Sequence, residues 1–361
     1  MTATVNERLA DAAVGHAVDL SQYANHVVRR VIALLNRSDA ELAARLTIAL
    51  EQLPSTAFTV ERLETLLQSV RLLNAAAYDA VGAELTAELR GLAAVESAWQ
   101  SRTLAATLPA RVQAAVGIAA VNAEQVFAAA LARPFQGRLL AEWARSIESD
   151  RMARIRDAVR QGYVQQETVS DIVRRIRGTR ARGYADGLLE IDRRSAEAVV
   201  RTAVSHIAGY VRDRAHEANA GVIKAEQWSS TLDTRTSEIC RPRDGKLYEP
   251  KTHKPMGHSF PWLGGPGRCH WRCRSVSVPI TKSFRELGID ADDLPPGERA
   301  SMDGQVPADQ TFAQWLRKQP AARQDEVLGP VRAAMFRAGT PLDSFYDARG
   351  RYLTLEELRQ R

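Results

Sequence analysis

The three cysteines of this 361-residue chain lie within one short region, and thiols grouped in this way could bind a metal. Cys240 comes first, and Cys269 and Cys273 follow on either side of His270. Thiolate and imidazole groups are ligands that zinc prefers, and a structural site holds four of them in a tetrahedron. The three cysteines and His270 make a set of four, so the sequence presents a candidate structural Zn²⁺ site.

The adjacent positions of Cys269 and His270 leave other interpretations open. Neighbouring side chains of an extended chain point in opposite directions, so a shared ion would require a sharp local bend. His253 or His258 could supply the fourth ligand instead. Without a metal, the cysteines would be small buried hydrophobic residues, and His270 a hydrogen-bonded core histidine.

Asp233 and Arg235 are the other residues here whose types could carry chemistry. They could be a catalytic acid and a substrate clamp, or Asp233 could cap a turn while Arg235 pairs with a carboxylate such as Asp244. The sequence adds no nucleophile–base pair and no phosphate-binding glycine loop. It therefore favours the structural interpretation and a protein that is not an enzyme. The alternative is a toxin-like, metal-assisted nuclease or other hydrolase that uses Asp233, His270 and Cys273.

These residues belong to one ordered pattern that ends at a Val-Pro pair. It reads Trp-x4-Asp-x-Arg-Thr-x3-Cys-x3-Asp-Gly, then a Pro/Gly-rich loop, then His-x2-Cys-Arg-Ser. The pattern resembles the phage Mu-F-like minor head protein domain, also called the phage head-morphogenesis domain. The matching positions are Trp228, Asp233, Arg235, Thr236, Cys240, Asp244, Gly245, His270, Cys273, Arg274, Ser275, Val278 and Pro279.

The resemblance implies a minor head protein of a phage or prophage that acts in head morphogenesis near the portal. The implied partners are the portal protein, the coat or scaffold protein, and packaged double-stranded DNA bound without sequence preference. The implied location is the virion, in the capsid interior or the portal region, after assembly in the bacterial host cytoplasm. Many relatives carry cysteines where this chain has Ser237 and Ser275, and these two departures weaken the metal interpretation.

The basic residues of the chain suit a polyanionic partner. The net charge is +6, and most of the positive residues are arginines, whose forked guanidinium suits phosphate. Neutralising phosphates in this way gives salt-sensitive, sequence-independent DNA binding. An acidic protein surface, or simply a solvated one, would fit the same charge. The candidate DNA-binding residues are Arg174, Arg175, Arg177, Arg180 and Arg182.

Two of the predicted helices could form a hairpin between Met152 and Arg177. A helix-turn-helix that reads DNA sequence is conceivable there. A packed helical hairpin with a charged outer face is favoured, because the spacing is generic.

The elements that must hold these residues are mainly helices. Hydrophobic residues make up 45% of the chain and aromatic residues 6%, which favours helices packed through small aliphatic side chains over a β-sandwich. Apolar residues recur at three- and four-residue steps from Asp19 to about Ala220. Helix starts are predicted at Ser38, Thr168 and Thr354, each followed three residues later by an acidic residue.

The pattern then changes to short strands, loops and short helices. Strands are predicted at 222–233, 246–248 and 275–279, with a loop at 255–267. Further helices are expected at 311–318, at 323–337 with a break at Pro330, and at 354–359. A linker is expected at 294–297. The predicted fold class is α+β, mainly α.

No run of about 18 apolar residues suggests a membrane-spanning helix, so no membrane partner is expected.

Four regions are expected along the chain. The regions are a long helical N-terminal domain at 1–150, a helical lead-in at 151–221, a small loop-rich Mu-F-like α+β domain at 222–280, and a short mixed C-terminal extension at 281–361.

Overall fold

The computed structural model of the chain describes residues 4–52, 59–283, 285–287, 298–307, 309–347 and 349–360. The structure is 63% helical and 8% strand, so the predicted α+β, mainly α class is confirmed. The predicted linker at 294–297 lies outside the described residues. Among the described residues, none of the helices combines the length and the hydropathy that a membrane-spanning segment requires.

The helices and strands are numbered in chain order. The helices are α1 (Val5–Glu51), α2 (Val60–Leu66), α3 (Gln68–Thr107), α4 (Ala110–Ala115), α5 (Ala123–Leu131), α6 (Leu140–Val164), α7 (Val169–Arg177), α8 (Leu189–Ala218), α9 (Phe312–Arg317), α10 (Ala321–Leu328), α11 (Pro330–Arg337) and α12 (Leu355–Arg359). The strands are β1 (Ile223–Ser229), β2 (Leu247–Tyr248), β3 (Pro255–Met256), β4 (Val276–Thr281), β5 (Glu298–Ser301) and β6 (Gly304–Pro307).

The chain divides into two compact units. Unit 1 holds Met1–Leu20, Leu92–Ala130 and Ser205–Arg361, and unit 2 holds Ser21–Gly91 and Leu131–Val204. The domain boundaries predicted at 150, 221 and 280 stay predictions.

Unit 2 contains the hairpin predicted between Met152 and Arg177. The Thr168 side chain accepts a hydrogen bond from the Asp171 N–H and so caps α7, as predicted. Gly162 lies inside α6 and not in the connection, and a Cβ at this position would come 2.4 Å from Ile172 Cγ1. The glycine therefore allows the close approach of α6 and α7.

The helix start predicted at Ser38 is wrong, because Ser38 and Glu41 lie inside the continuous helix α1. Glu41 pairs with Arg45 one turn further on, 3.0 Å away. The buried residue beside them, Asp39, pairs with Arg151 of α6. Because these side-chain pairs stabilise the continuous helix, the local capping pattern at Ser38 does not start a new one.

Unit 1 contains an antiparallel sheet of order β3-β2-β1-β4. The strands predicted at 222–233, 246–248 and 275–279 correspond to β1, β2 and β4. The loop predicted at 255–267 is wrong at its start, because β3 pairs with β2 there. Pro255 is tolerated in β3 because an edge strand needs hydrogen bonds on one side only.

The C-terminal helices of unit 1 follow the predicted starts and breaks. Thr311 and Thr354 each cap a helix, α9 and α12, through a capping box. The break predicted at Pro330 separates α10 from α11. Aromatic residues of this extension, among them Phe312 and Trp315, pack with Leu232 of the loop-rich region in one hydrophobic cluster.

Candidate metal centre

The candidate metal ligands lie on two loops that the sheet brings together. Cys240 is on the loop that follows β1, just before a short 3₁₀ turn. The other three candidates are on the loop that leads into β4. Because β1 and β4 are antiparallel, the last residue of β1, Ser229, pairs with the first of β4, Val276. The two loops therefore leave the sheet at the same point.

All four candidate ligands converge, with their ligand atoms within 4.8 Å of one another. The Cys240 Sγ lies 3.8 Å from Cys269 Sγ and 3.6 Å from Cys273 Sγ, and the last two sulfurs are 3.7 Å apart. His270 Nε2 is 3.3 Å from Cys240 Sγ. Zn–S bonds of about 2.3 Å place the sulfurs of a tetrahedral site about 3.8 Å apart. The three thiols and the imidazole therefore fit a zinc ion.

A tight turn allows the adjacent residues Cys269 and His270 to share this centre. Gly267 and Arg272 both have positive φ, +81° and +54°. The Gly267 N–H points to Cys273 Sγ at 3.3 Å, and the Cys273 N–H donates to the His270 carbonyl at 3.3 Å. This is the sharp bend that a shared ion requires.

The surroundings of His270 orient its ring toward the sulfurs. Its Nδ1 lies 2.9 Å from the Trp271 carbonyl, which can only accept, so Nδ1 carries the proton. Nε2, which lies near Cys240 Sγ and 2.8 Å from Ser237 Oγ, is then the nitrogen that can bind a metal once it has lost its proton. A second-shell carbonyl of this kind commonly fixes the tautomer of a metal-binding histidine.

The alternative fourth ligands lie elsewhere. His258 Nε2 bonds to the Leu247 carbonyl at 2.9 Å, and its Nδ1 accepts from the Phe260 N–H at 3.2 Å. His253 faces Glu226. Neither histidine is needed to complete the set of four.

The four groups perturb one another strongly. Burial opposes protonation of His270, but hydrogen bonds to Cys240 and Cys273 outweigh it and raise the pKa of His270 to about 11. A hydrogen bond from Cys240 lowers the pKa of Cys273 well below its usual value, whereas one with Cys240 raises the pKa of Cys269. A cation that binds here must therefore displace protons, so its affinity will depend on pH.

An aromatic cluster closes the inner side of the centre. Cys240 and Cys273 are buried against Trp228, Tyr248 and Trp262. The indoles of Trp228 and Trp262 pack edge to face with centroids 5.6 Å apart. The motif tryptophan thus forms the apolar wall behind the sulfurs.

Asp233 and Arg274 of the motif clamp the two loops together. Arg274 Nη1 and Nη2 donate to the Asp233 carboxylate at 2.6 and 2.8 Å. Asp233 also accepts from the Arg235 N–H and the Thr236 hydroxyl, both at 3.1 Å, so the predicted turn cap is present. Arg235 does pair with a carboxylate, but with Asp233 and not with Asp244: its Nε lies 4.0 Å from Asp233 Oδ2, and its side chain is 82% exposed.

Asp244 and Gly245 anchor the end of the first loop. Asp244 Oδ1 accepts from the Ser230 N–H at 2.7 Å, and Oδ2 accepts from the Phe312 N–H at 2.6 Å. Gly245 has a φ of +79°, and its N–H donates to the Trp228 carbonyl at 2.8 Å. These motif positions therefore hold backbone, and Asp244 also secures the start of α9.

Sequence reasoning missed Arg241 and Arg243 of the same loop. Arg241 donates to the Val327 carbonyl at 2.7 Å and to the Tyr352 hydroxyl at 2.9 Å. Arg243 is fully buried and donates to the carbonyls of Ile239 and Pro261. Their partners include residues far away in the chain, and no local pattern indicates such contacts.

Two of the arginines predicted to bind DNA are paired within unit 2. Arg174 donates to Asp171 at 2.5 Å, one turn earlier on α7. Arg175 pairs with Glu167, which precedes the same helix. Their charges are therefore partly neutralised locally.

The other three lie at or beyond the end of α7. The Arg177 guanidinium is stacked 4.6 Å from the centroid of the Tyr184 ring. Arg180 and Arg182 are exposed on a 3₁₀ turn. Arg180 and Arg182 are thus exposed and lie outside the ion pairs that hold Arg174 and Arg175.

Comparison with known proteins supports the motif. A sequence profile of the family described as Phage Mu protein F like protein matches residues 153–278. The match covers less than half of the chain but includes the four candidate ligands and the clamp between Asp233 and Arg274. Neither the curated proteins nor the solved structures gave a significant match. The resemblance is therefore confirmed across residues 153–278, where the chain is similar to the phage Mu protein F like family.

Proposed function

We propose that this chain is a minor head protein of a phage or prophage that acts in head morphogenesis near the portal. The observation that carries the proposal is the family match over residues 153–278, which spans nearly all of the motif. The family is one of phage head proteins and thus supports a location in the virion. On this proposal the protein is a non-enzymatic part of the head, assembled in the host cytoplasm.

We further propose that the thiol and imidazole groups of the centre hold one structural Zn²⁺. The ligand spacing and the apolar wall behind Cys240 and Cys273 support this. A structural zinc contributes on the order of 10–16 kcal/mol of folding free energy. Bound here, it would crosslink two loops that contain little regular structure.

The geometry favours this role over a metal-assisted hydrolase. A catalytic zinc keeps one position open for water, whereas here the protein offers four ligands. Burial opposes ionisation of Asp233, but hydrogen bonds from Arg274 and Thr236 outweigh it and lower the pKa of Asp233. A general base works best with a pKa near the operating pH, so Asp233 is poorly suited to that task.

We assign the proposed contact with packaged DNA to unit 2. The exposed Arg180 and Arg182 support it, and they would equally suit an acidic patch on the coat or scaffold protein. A DNA contact predicts that log K falls with log salt by about 0.9 for each phosphate neutralised, so Arg180→Gln should make the slope for DNA about 0.9 shallower.

The decisive experiment is assembly with the neighbouring head proteins. We expect the chain to sediment with procapsids when it is co-expressed with portal, coat and scaffold proteins, and to be absent from particles made without the portal. Failure to associate with portal or procapsid, together with DNA cleavage that Asp233→Ala or His270→Ala abolishes, would refute the proposal. The loss of cleavage in those variants would then show that the chain is a hydrolase that uses Asp233 and His270.

A further inference from the structure

A second group of metal-binding side chains is buried in unit 1, apart from the cysteines. Asp213 and His216 lie one turn apart on the last turns of α8, so they share one face of the helix. Glu226 is in the middle of β1, and His253 is in the turn between β2 and β3. The ligand atoms of Asp213, Glu226 and His253 lie within 4.8 Å of one another.

The polar atoms of this group lack the hydrogen bonds that burial normally requires. Glu226 is 0% exposed and His216 only 3%. Within the described chain, neither carboxylate oxygen of Glu226 and neither ring nitrogen of His216 has a hydrogen-bond partner, and the same holds for Asp213 Oδ1 and His253 Nε2. Buried polar groups nearly always form hydrogen bonds, so this convergent set of atoms without hydrogen bonds points to a missing ligand.

The spacing of these atoms suits an ion better than direct contact. His216 Nδ1 is 3.4 Å and His253 Nε2 3.7 Å from Glu226 Oε1, both longer than an ordinary hydrogen bond. Ligands bound to zinc at about 2.0–2.1 Å lie roughly 3.4 Å apart in a tetrahedron. Asp213, Glu226 and His253 are close enough to share one small cation, and His216 Nδ1 is the further donor nearest Glu226 Oε1.

Neighbouring residues hold this arrangement in place. The His253 ring is stacked on Trp262, with centroids 4.6 Å apart and the planes within 2° of parallel. The His253 backbone has a φ of +52°, a conformation that is uncommon for residues other than glycine. Arg268 pairs with Asp213 through Oδ2, which leaves Oδ1 facing the group. Such second-shell contacts fix the orientation of metal ligands.

We propose that Asp213, His216, Glu226 and His253 form a second, closed binding site for one divalent transition-metal ion of the Zn²⁺ or Fe²⁺ type. Two imidazoles and two carboxylates are the donors that such ions accept, and with Arg268 paired to Asp213 the two carboxylates leave one net negative charge, which favours a cation. The site joins the end of α8, the middle of β1 and the turn before β3. Its burial makes it structural, and it is independent of the proposed role in the phage head.

Cobalt distinguishes this site from the cysteine centre. The metal-free full-length chain would be titrated with Co²⁺ alone, and bound metal counted by elemental analysis. Thiolate ligands give an intense near-ultraviolet charge-transfer band, whereas nitrogen and oxygen ligands give only weaker visible bands. We expect two ions per wild-type chain, and one after Cys273→Ser, without the charge-transfer band.

The variants that test the new site are Glu226→Gln and His253→Asn. Asparagine adopts the left-handed conformation at position 253 more readily than most residues, so His253→Asn removes the imidazole with little backbone strain. Each variant should lose one ion, or bind it at least about 100-fold more weakly, and keep the charge-transfer band. The exposed neighbour Glu249 provides the control, and Glu249→Gln should bind both ions.

The proposed site is refuted if both variants bind as many ions as the wild-type chain. It is also refuted if the wild-type chain binds only one ion and Cys273→Ser loses that ion. If Glu226→Gln fails to fold, His253→Asn decides the question, and its charge-transfer band reports whether the loops are still folded.

Discussion

Asp39 offers the sharpest test of the forces that hold unit 2 together. Its carboxylate is 2% exposed and accepts from Arg151 Nη2 at 2.6 Å and from Arg193 Nη2 at 2.5 Å. These three side chains join α1, α6 and α8. Burial lowers the pKa of Arg151, but Asp39 outweighs it and holds that pKa above its usual value. Asp39→Asn would therefore leave two charged guanidinium groups buried.

We expect Asp39→Asn to lower the free energy of unfolding by about 3–5 kcal/mol, the cost of removing one partner from a buried ion pair. The effect should lie near the lower end, because Arg193 keeps a second partner, Glu190, at 3.2 Å. Glu41→Gln is the matched control on the same helix, since the exposed pair with Arg45 contributes only about 0.3–0.5 kcal/mol.

The assay is urea denaturation followed by circular dichroism, with the slope of the transition checked to be unchanged. A loss for Asp39→Asn no larger than that for Glu41→Gln would refute the reasoning. It would mean that water or other carboxylates satisfy Arg151 and Arg193 as well as Asp39 does.

Three further predictions concern the helical hairpin and the two loops. Gly162→Ala should destabilise unit 2 by about 1–3 kcal/mol in denaturation, because its Cβ would clash with Ile172, whereas Gly91→Ala, which meets open space, should be neutral or stabilising. Cys273→Ser should reduce bound Zn²⁺ by one equivalent, and unchanged metal content would contradict the centre. Arg274→Gln should cost about 1 kcal/mol at neutral pH, since the pair is partly exposed. Because pairing lowers the pKa of Asp233 in the folded state, this cost should be full above pH ~4 and fade as the pH falls further; a cost that persisted in acid would show another origin.

The sequence predicted helix starts well where the capping residue follows a break in the chain. Thr168, Thr311 and Thr354 all cap helices, and each follows a connecting segment that had already ended the previous element. Ser38 has the same local pattern, but apolar residues of α1 continue on both sides of it. The buried Asp39 pairs with residues more than a hundred positions away, and only the folded structure shows that contact.

The candidate ligands could be found from residue type, but their geometry could not. The convergence of Cys269 and His270 depends on positive φ at Gly267 and Arg272, and arginine gives no signal for that conformation. The ion pair between Asp233 and Arg274 joins residues 41 positions apart, and no local pattern indicates such a contact. From the sequence, only the nearby Arg235 was considered as an ion-pair partner. The cluster around Glu226 was missed for the same reason, because its members come from a helix, a strand and a turn.

The motif acts mainly on two loops, one that follows β1 and one that leads into β4. The Asp233–Arg274 clamp and the four candidate ligands hold the two loops to each other. Asp244 holds the first loop to the start of α9. Ordering a loop residue costs about 1–2 kcal/mol of backbone entropy, and a loop-rich segment has few backbone hydrogen bonds to offset it. Side-chain clamps replace part of the missing sheet, and a metal held by the four candidate ligands would add a further crosslink between the loops. If the proposed role in the phage head is correct, the exposed Arg180 and Arg182 of unit 2, outside the motif, are the first residues to test for contact with head partners.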